Sequence, residues 1–120
     1  MRLRIFPVTQ APGQARRLLA DTLQGEVDEE ALESLRTVIS ELVAISVAQG
    51  ASSPIDLSVE IAGDEVVGLV DDHGPATRAL IRARERRTDS LVLRIIDGLV
   101  DEWEVTAHGV RFRVPCRETH

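Results

Sequence analysis

The sequence predicts an α+β domain: a two-layer α/β sandwich in which three main helices cover one face of a mostly antiparallel sheet. Three observations predict it. Residues 55–61, Ile-Asp-Leu-Ser-Val-Glu-Ile, alternate apolar and polar without a break, which is the period of a half-buried strand. Residues 28–49 place Leu32, Leu35, Ile39, Leu42 and Ile45-Ser46 at steps of three and four, the stripe of an amphipathic helix. The later strand-like segments come as neighbouring pairs joined by turn residues, so they are expected to form antiparallel hairpins packed under the helices.

Taken in order, Arg2-Leu3-Arg4-Ile5-Phe6 alternates as a short strand that Pro7 ends. Residues 11–23 read as a helix with Ala15, Leu18, Leu19 and Leu23 on one stripe. Pro12 is tolerated in its first turn, and Gly25 stops it. Asp28 suits the N-cap of the long helix, with Glu29 and Glu30 beside its positive end. Gly50 terminates that helix, and Ser52-Ser53-Pro54 forms a loop. Gly63-Asp64 makes a tight turn after the clearest strand, and residues 66–70 return as its partner. Asp71-Asp72-His73-Gly74-Pro75 is dense in turn residues.

Residues 76–89 are poor in apolar side chains and rich in arginine, and are expected to form a lid segment rather than a main helix. Residues 91–99 supply the third helix, with Leu91, Ile95 and Leu99 spaced by four and Val92 and Ile96 extending that face. Residues 103–106 and 110–114 form a second hairpin around Ala107-His108-Gly109, with Trp103 expected to anchor the helix-to-strand corner in the core. The element order is β-α-α-β-β-lid-α-β-β, in one domain over residues 1–120.

Composition narrows the function classes. A hydrophobic fraction of 43% with 28% charged residues describes a globular chain rather than a disordered one. Apolar runs are short, such as Leu42-Val43-Ala44-Ile45, far from the ~20 residues of a membrane span. Residues 1–5 contain no apolar signal core, so a cytoplasmic location is expected. The formal net charge of -6 argues against general affinity for nucleic acid. All 14 basic residues are Arg, which excludes a phosphate-loop lysine and Schiff-base chemistry. The single cysteine, Cys116, permits no intramolecular disulfide and reads as a small residue near a strand end. His73, His108 and His120 are too scattered to suggest a metal site.

Three segments carry a resemblance. The long helix contains Ser40-Glu41-Leu42-Val43-Ala44-Ile45-Ser46-Val47-Ala48-Gln49-Gly50. The first hairpin ends in Asp72-His73-Gly74-Pro75-Ala76. The last helix reads from Ser90-Leu91-Val92-Leu93 through Asp101-Glu102-Trp103-Glu104-Val105. In this order they resemble the S-E-L-V-x-N-A-V-x-H-G stretch, the D-x-G-x-G box and the G-x-G-L-x-L-I-x-x-L-x-D-E-V-E-V segment of anti-sigma-factor serine kinases. Those kinases belong to the GHKL, histidine kinase-like ATPase superfamily. The resemblance covers roughly residues 1–115.

The resemblance implies a Bergerat fold that holds ATP between two helices and a lid. It also implies binding to a sigma factor or to an anti-sigma antagonist, dimerisation, and phosphorylation of a serine on the antagonist. Carried over by position, Glu41 matches the catalytic carboxylate. The magnesium-ligating Asn position is Ile45, which has no oxygen to offer a cation that takes oxygen ligands. Asp72 and Gly74 match the adenine box, whose second glycine is Ala76. The phosphate-facing lid glycines fall at Ser90 and Val92, and a β-branched residue resists the backbone conformations glycine allows there.

Two functions follow as expectations. The first is a degenerate regulatory domain that binds a protein partner, with no metal site and with ATP and Mg²⁺ use weakened or lost. The alternative is an active ATP-binding serine kinase. Arg78, Arg82, Arg84, Arg86 and Arg87 are opposed locally only by Glu85. They are the candidate face for an acidic or anionic partner, since guanidinium groups pair well with carboxylate and phosphate.

Overall fold

In the computed structural model, which describes residues 1–86 and 91–117, five strands form one sheet. They are β1 (Arg2–Ile5), β2 (Ile55–Ala62), β3 (Glu65–Asp71), β4 (Glu102–Val105) and β5 (Gly109–Pro115). Their order across the sheet is β1-β2-β3-β5-β4. Each of the four pairings is antiparallel. Four helices complete the structure: α1 (Ala11–Leu23), α2 (Glu29–Ala48), α3 (Pro75–Glu85) and α4 (Leu91–Leu99).

The period of two sorts the strands. Ile55, Leu57 and Val59 of β2, Val66 and Val70 of β3, and Val110, Phe112 and Val114 of β5 are all buried. The intervening residues face the other way. The β2–β3 hairpin closes between Ala62 and Glu65, and Gly63 at φ 65° supplies the left-handed backbone that its two-residue turn needs. One row across the sheet runs Val59, Gly68, Phe112 and Trp103. The Phe112 ring lies over Gly68, so a Cβ at that position would overlap it. Glycine in this strand serves the close approach of an aromatic ring.

The helices close over the inward face. In α1, Ala11, Ala15, Leu19 and Leu23 are buried at steps of four. In α2 the buried residues include Leu35, Val38, Ile39, Leu42, Val43 and Ser46. Burying one such leucine or isoleucine contributes roughly 1.5–3 kcal/mol. Asp28 caps α2 as expected: a side-chain oxygen accepts from the Ala31 N–H at 3.3 Å. Its other oxygen accepts from the Arg117 N–H at 2.7 Å, which ties the end of the chain to the start of the helix. The Arg117 hydrogen bond holds the Asp28 carboxyl below its ordinary pKa.

Four expectations change. First, most of the arginine-rich segment is helical, so there are four helices rather than three among the described residues. Ala76, Thr77 and Leu80 give α3 a narrow buried stripe, and Gly74 and Pro75 start it at the N-cap and first helical position. Second, Leu18 belongs to no core stripe, because α1 buries only its i, i+4 row. Third, Ile96 is the buried residue of α4, while Leu91 is 67% exposed. Fourth, Trp103 is only half-buried, and it anchors its corner by a hydrogen bond from Nε1 to Asp97 Oδ1 at 2.7 Å. Among the described residues, no helix is long and apolar enough to cross a membrane.

Candidate functional site

Of the expected site residues, Asp72, Gly74 and Ala76 lie where α2, the end of β3 and the start of α3 meet. Asp72 follows β3 directly and is 2% exposed. Its turn takes unusual backbone: His73 has φ 65° and Gly74 has φ 123°, both in the left-handed region. A side chain at Gly74 would also collide with the Arg78 guanidinium, which folds back over the turn. These constraints select glycine at the one position and tolerate histidine at the other.

The turn brings three donors onto the Asp72 carboxylate. Oδ1 accepts from the Gly74 N–H at 2.9 Å. Oδ2 accepts from the Ala76 N–H at 2.7 Å and from the Ser46 hydroxyl at 2.6 Å. Two of these donors belong to the α3 N-terminus, where a negative charge is favoured by the helix dipole and by unpaired N–H groups. The third reaches across from α2. Ser46 Oγ also stands 3.0 Å from the Leu42 carbonyl, so the hydroxyl is held against its own helix. Asp72 therefore joins three elements as a buried, internally satisfied node.

Glu41 and Ile45 stand one turn apart on α2, beside the buried Leu42–Ser46 stripe rather than on it. Both are half-buried. Ser46, not Ile45 or Glu41, faces Asp72. The flank that carries Glu41 and Ile45 continues to Gln49, whose Oε1 accepts from Arg82 Nη2 of α3 at 3.1 Å. The donor set does not fit a magnesium ion: Ile45 offers hydrocarbon, and the Gln49 oxygen is engaged by a cation.

The remaining candidates are dispersed. Val92 is half-buried in α4 and packs against the core. Ser90 and Arg87 lie outside the described residues. Of the arginines, Arg82 bonds Gln49, and the Arg84 guanidinium lies 3.7 Å from the centroid of the Trp103 ring. Arg82 and Arg84 thus meet groups of the chain itself, Arg78 lies folded over Gly74, and all three remain exposed. Arg86 is exposed at the α3 C-cap. The clefts of about 350–450 Å³ on the described surface lie on the open sheet face, at the start of α2 and beside β1. Glu41, Ile45 and Asp72 line none of these clefts.

In comparisons by sequence, no protein-family model matches this chain, and no curated protein matches it.

Ser46 is the residue that sequence reasoning missed. A serine in the interior of an apolar stripe, one turn after Leu42, was the available signal. A buried hydroxyl needs an acceptor, and the helix supplies only a back-bond. Thr77 poses the same question in reverse: its Oγ1 is buried without a hydrogen-bond partner among the described residues.

Proposed function

We propose that this chain is a degenerate Bergerat-type regulatory domain. In this proposal it binds a protein partner, a sigma factor or an anti-sigma antagonist, and its use of Mg-ATP is weakened or lost. The observation that carries the proposal is the Asp72 node. A carboxylate offers about four lone-pair directions, and three are already taken by Ser46, Gly74 and Ala76. An adenine amino group would have to enter a nearly closed site and compete with donors the chain supplies itself. Ile45 adds a second reason, since the position that would hold the cation is hydrocarbon and phosphoryl transfer leans on charge neutralisation by the metal.

Calorimetric titration with ATP in the presence of Mg²⁺ is the test. A flat titration is expected, and micromolar, magnesium-dependent binding would overturn the proposal.

One observation favours the alternative, an active serine kinase acting on an antagonist protein. Glu41 is half-exposed, and its carboxylate has no hydrogen bond or ion pair among the described residues, so it is available as a base. Phosphate transfer to an antagonist, abolished by Glu41→Gln, would establish that function. Self-association is a separate question that sedimentation answers, with a concentration-independent monomer excluding a homodimer.

A further inference from the structure

His73 and His108 are distant in sequence, and the fold brings them together. Their imidazole centroids are 6.4 Å apart, with the rings tilted by 49°. Strand register explains the meeting. Asp71 pairs with Gly109 at the last rung between β3 and β5. His73 stands just beyond the first of these partners, and His108 just before the second. The rung requires glycine at 109, because a Cβ there would collide with the Val70 carbonyl and the Asp71 Cα.

Both histidines sit on turns that hydrogen bonds fix. The Thr106 N–H donates to the Gly109 carbonyl at 2.8 Å, and Thr106 Oγ1 accepts from the Gly109 N–H at 3.0 Å. The His73 N–H donates to Asp71 Oδ1 at 3.0 Å. The left-handed backbone of His73 is set by the same turn that carries Asp72 and Gly74. Both imidazoles are nevertheless exposed, so a solute can reach them.

A carboxylate short of a cation completes the cluster. Asp71 lies directly opposite Asp56 in the sheet, and like charges so placed repel. Asp56 is balanced by Arg4, whose Nε donates to it at 2.9 Å. The Arg78 guanidinium leans over Gly74 instead. The one basic side chain within ion-pair distance of Asp71 among the described residues is His73, whose Nδ1 stands 3.8 Å from Oδ1. That is too long for a hydrogen bond.

We propose that His73, His108 and Asp71 bind a divalent transition-metal ion of the zinc class, which ties the β3–α3 turn to the β4–β5 turn. Two imidazoles and one carboxylate suit such an ion, whereas magnesium takes oxygen ligands. With bonds of about 2.1 Å, two ligand atoms of a tetrahedral ion stand about 3.4 Å apart. The Asp71–His73 separation is close to that value. Two imidazoles on one such ion have centroids roughly 5 Å apart, so the rings must close by about 1 Å. Among the described residues no three such side chains already stand in coordinating positions. Closure therefore needs rotation of the two exposed rings about their side-chain bonds, while the turns stay in place. Water fills the fourth position. This site is separate from the position of Ile45, and it stands whether or not the chain uses nucleotide.

The test adds Zn²⁺ to the untagged whole chain. Calorimetry should show one ion per chain at micromolar affinity, and Mg²⁺ should give no heat. NMR should show the His73 and His108 ring signals shifting together, complete at one equivalent, with the His120 signal unmoved. The melting midpoint should rise by roughly 5–10 °C at about a hundredfold excess of free Zn²⁺ over Kd. His73→Asn keeps a residue that tolerates left-handed backbone, and His108→Gln lies on an exposed turn, so both variants should fold. Each should weaken binding by about tenfold or more, as should Asp71→Asn, while His120→Gln should change nothing. The site is overturned by absence of zinc binding, by full affinity in His73→Asn or His108→Gln, or by loss of binding in His120→Gln. One ion shared between two chains would also overturn it.

Discussion

At the Asp72 junction a buried carboxylate meets three donors supplied by the chain itself. At the β1–α1 edge the outward backbone groups of Arg2 and Arg4 have no partner among the described residues, and Phe6 and Leu18 stay partly exposed beside a cleft. The junction holds the charge and the left-handed turn that draw the eye as a binding site, yet its hydrogen-bonding capacity is spent on holding α2, β3 and α3 together. The edge has no catalytic group, yet it keeps unfilled backbone and apolar surface. Unusual chemistry marks a ligand site only when the surrounding fold has left it unsatisfied.

Substitutions can break or sharpen this contrast. Asp72→Ala should have the largest effect. It strips an acceptor from the Gly74 and Ala76 N–H groups and from the Ser46 hydroxyl, and should cost about 3–5 kcal/mol in urea denaturation. A loss below about 1 kcal/mol would mean that the node is solvated and open to a ligand. Ser46→Ala removes one donor and leaves the carboxylate two, so the expected loss is about 1–2 kcal/mol by the same measurement.

Asp28 provides an intermediate case, because it also accepts two backbone N–H groups but is more open to water. Asp28→Ala should cost about 1 kcal/mol, the usual value of an N-cap. Its pH dependence has a definite sign. The folded-state pKa is depressed below the ordinary aspartate value of 3.8, chiefly by the Arg117 hydrogen bond. The Asp28 contribution is therefore full above that value and is lost as pH falls through the lower, folded pKa. Acid titration of the wild type and of Asp28→Ala should converge in stability below that window. The smallest effect is expected at the edge: Leu18→Glu and Phe6→Ser should change stability by no more than about 0.5 kcal/mol. A larger loss would place those side chains in the core and remove the contrast.

Much of the fold was legible locally. The alternation of residues 55–61, the apolar steps of Ala15, Leu19 and Leu23, and the Asp28 cap need only their neighbours in sequence to be recognised. Helix α3 was not legible, because its buried stripe is only Ala76, Thr77 and Leu80 among arginines. Those arginines are accommodated by distant groups: Gln49 for Arg82 and Trp103 for Arg84. The candidate site was legible only in part. Asp72 and Gly74 stood out as turn residues. That Ser46 rather than Ile45 faces them depends on the rotation of α2, which is set by how Leu35, Ile39 and Leu42 seat on the sheet.

The sequence by itself determined where the strands and the helices other than α3 lie, since hydrophobic period, caps and glycine punctuation act over a few residues. It also determined that Ile45 offers no oxygen. Only the tertiary structure decided that Asp72 is buried against three donors while a cleft stays open beside Leu18. Hydrogen-bond satisfaction and burial are properties of groups brought together from far along the chain, such as Ser46 with Asp72 or β1 with α1. No local pattern records which of those groups will find a partner.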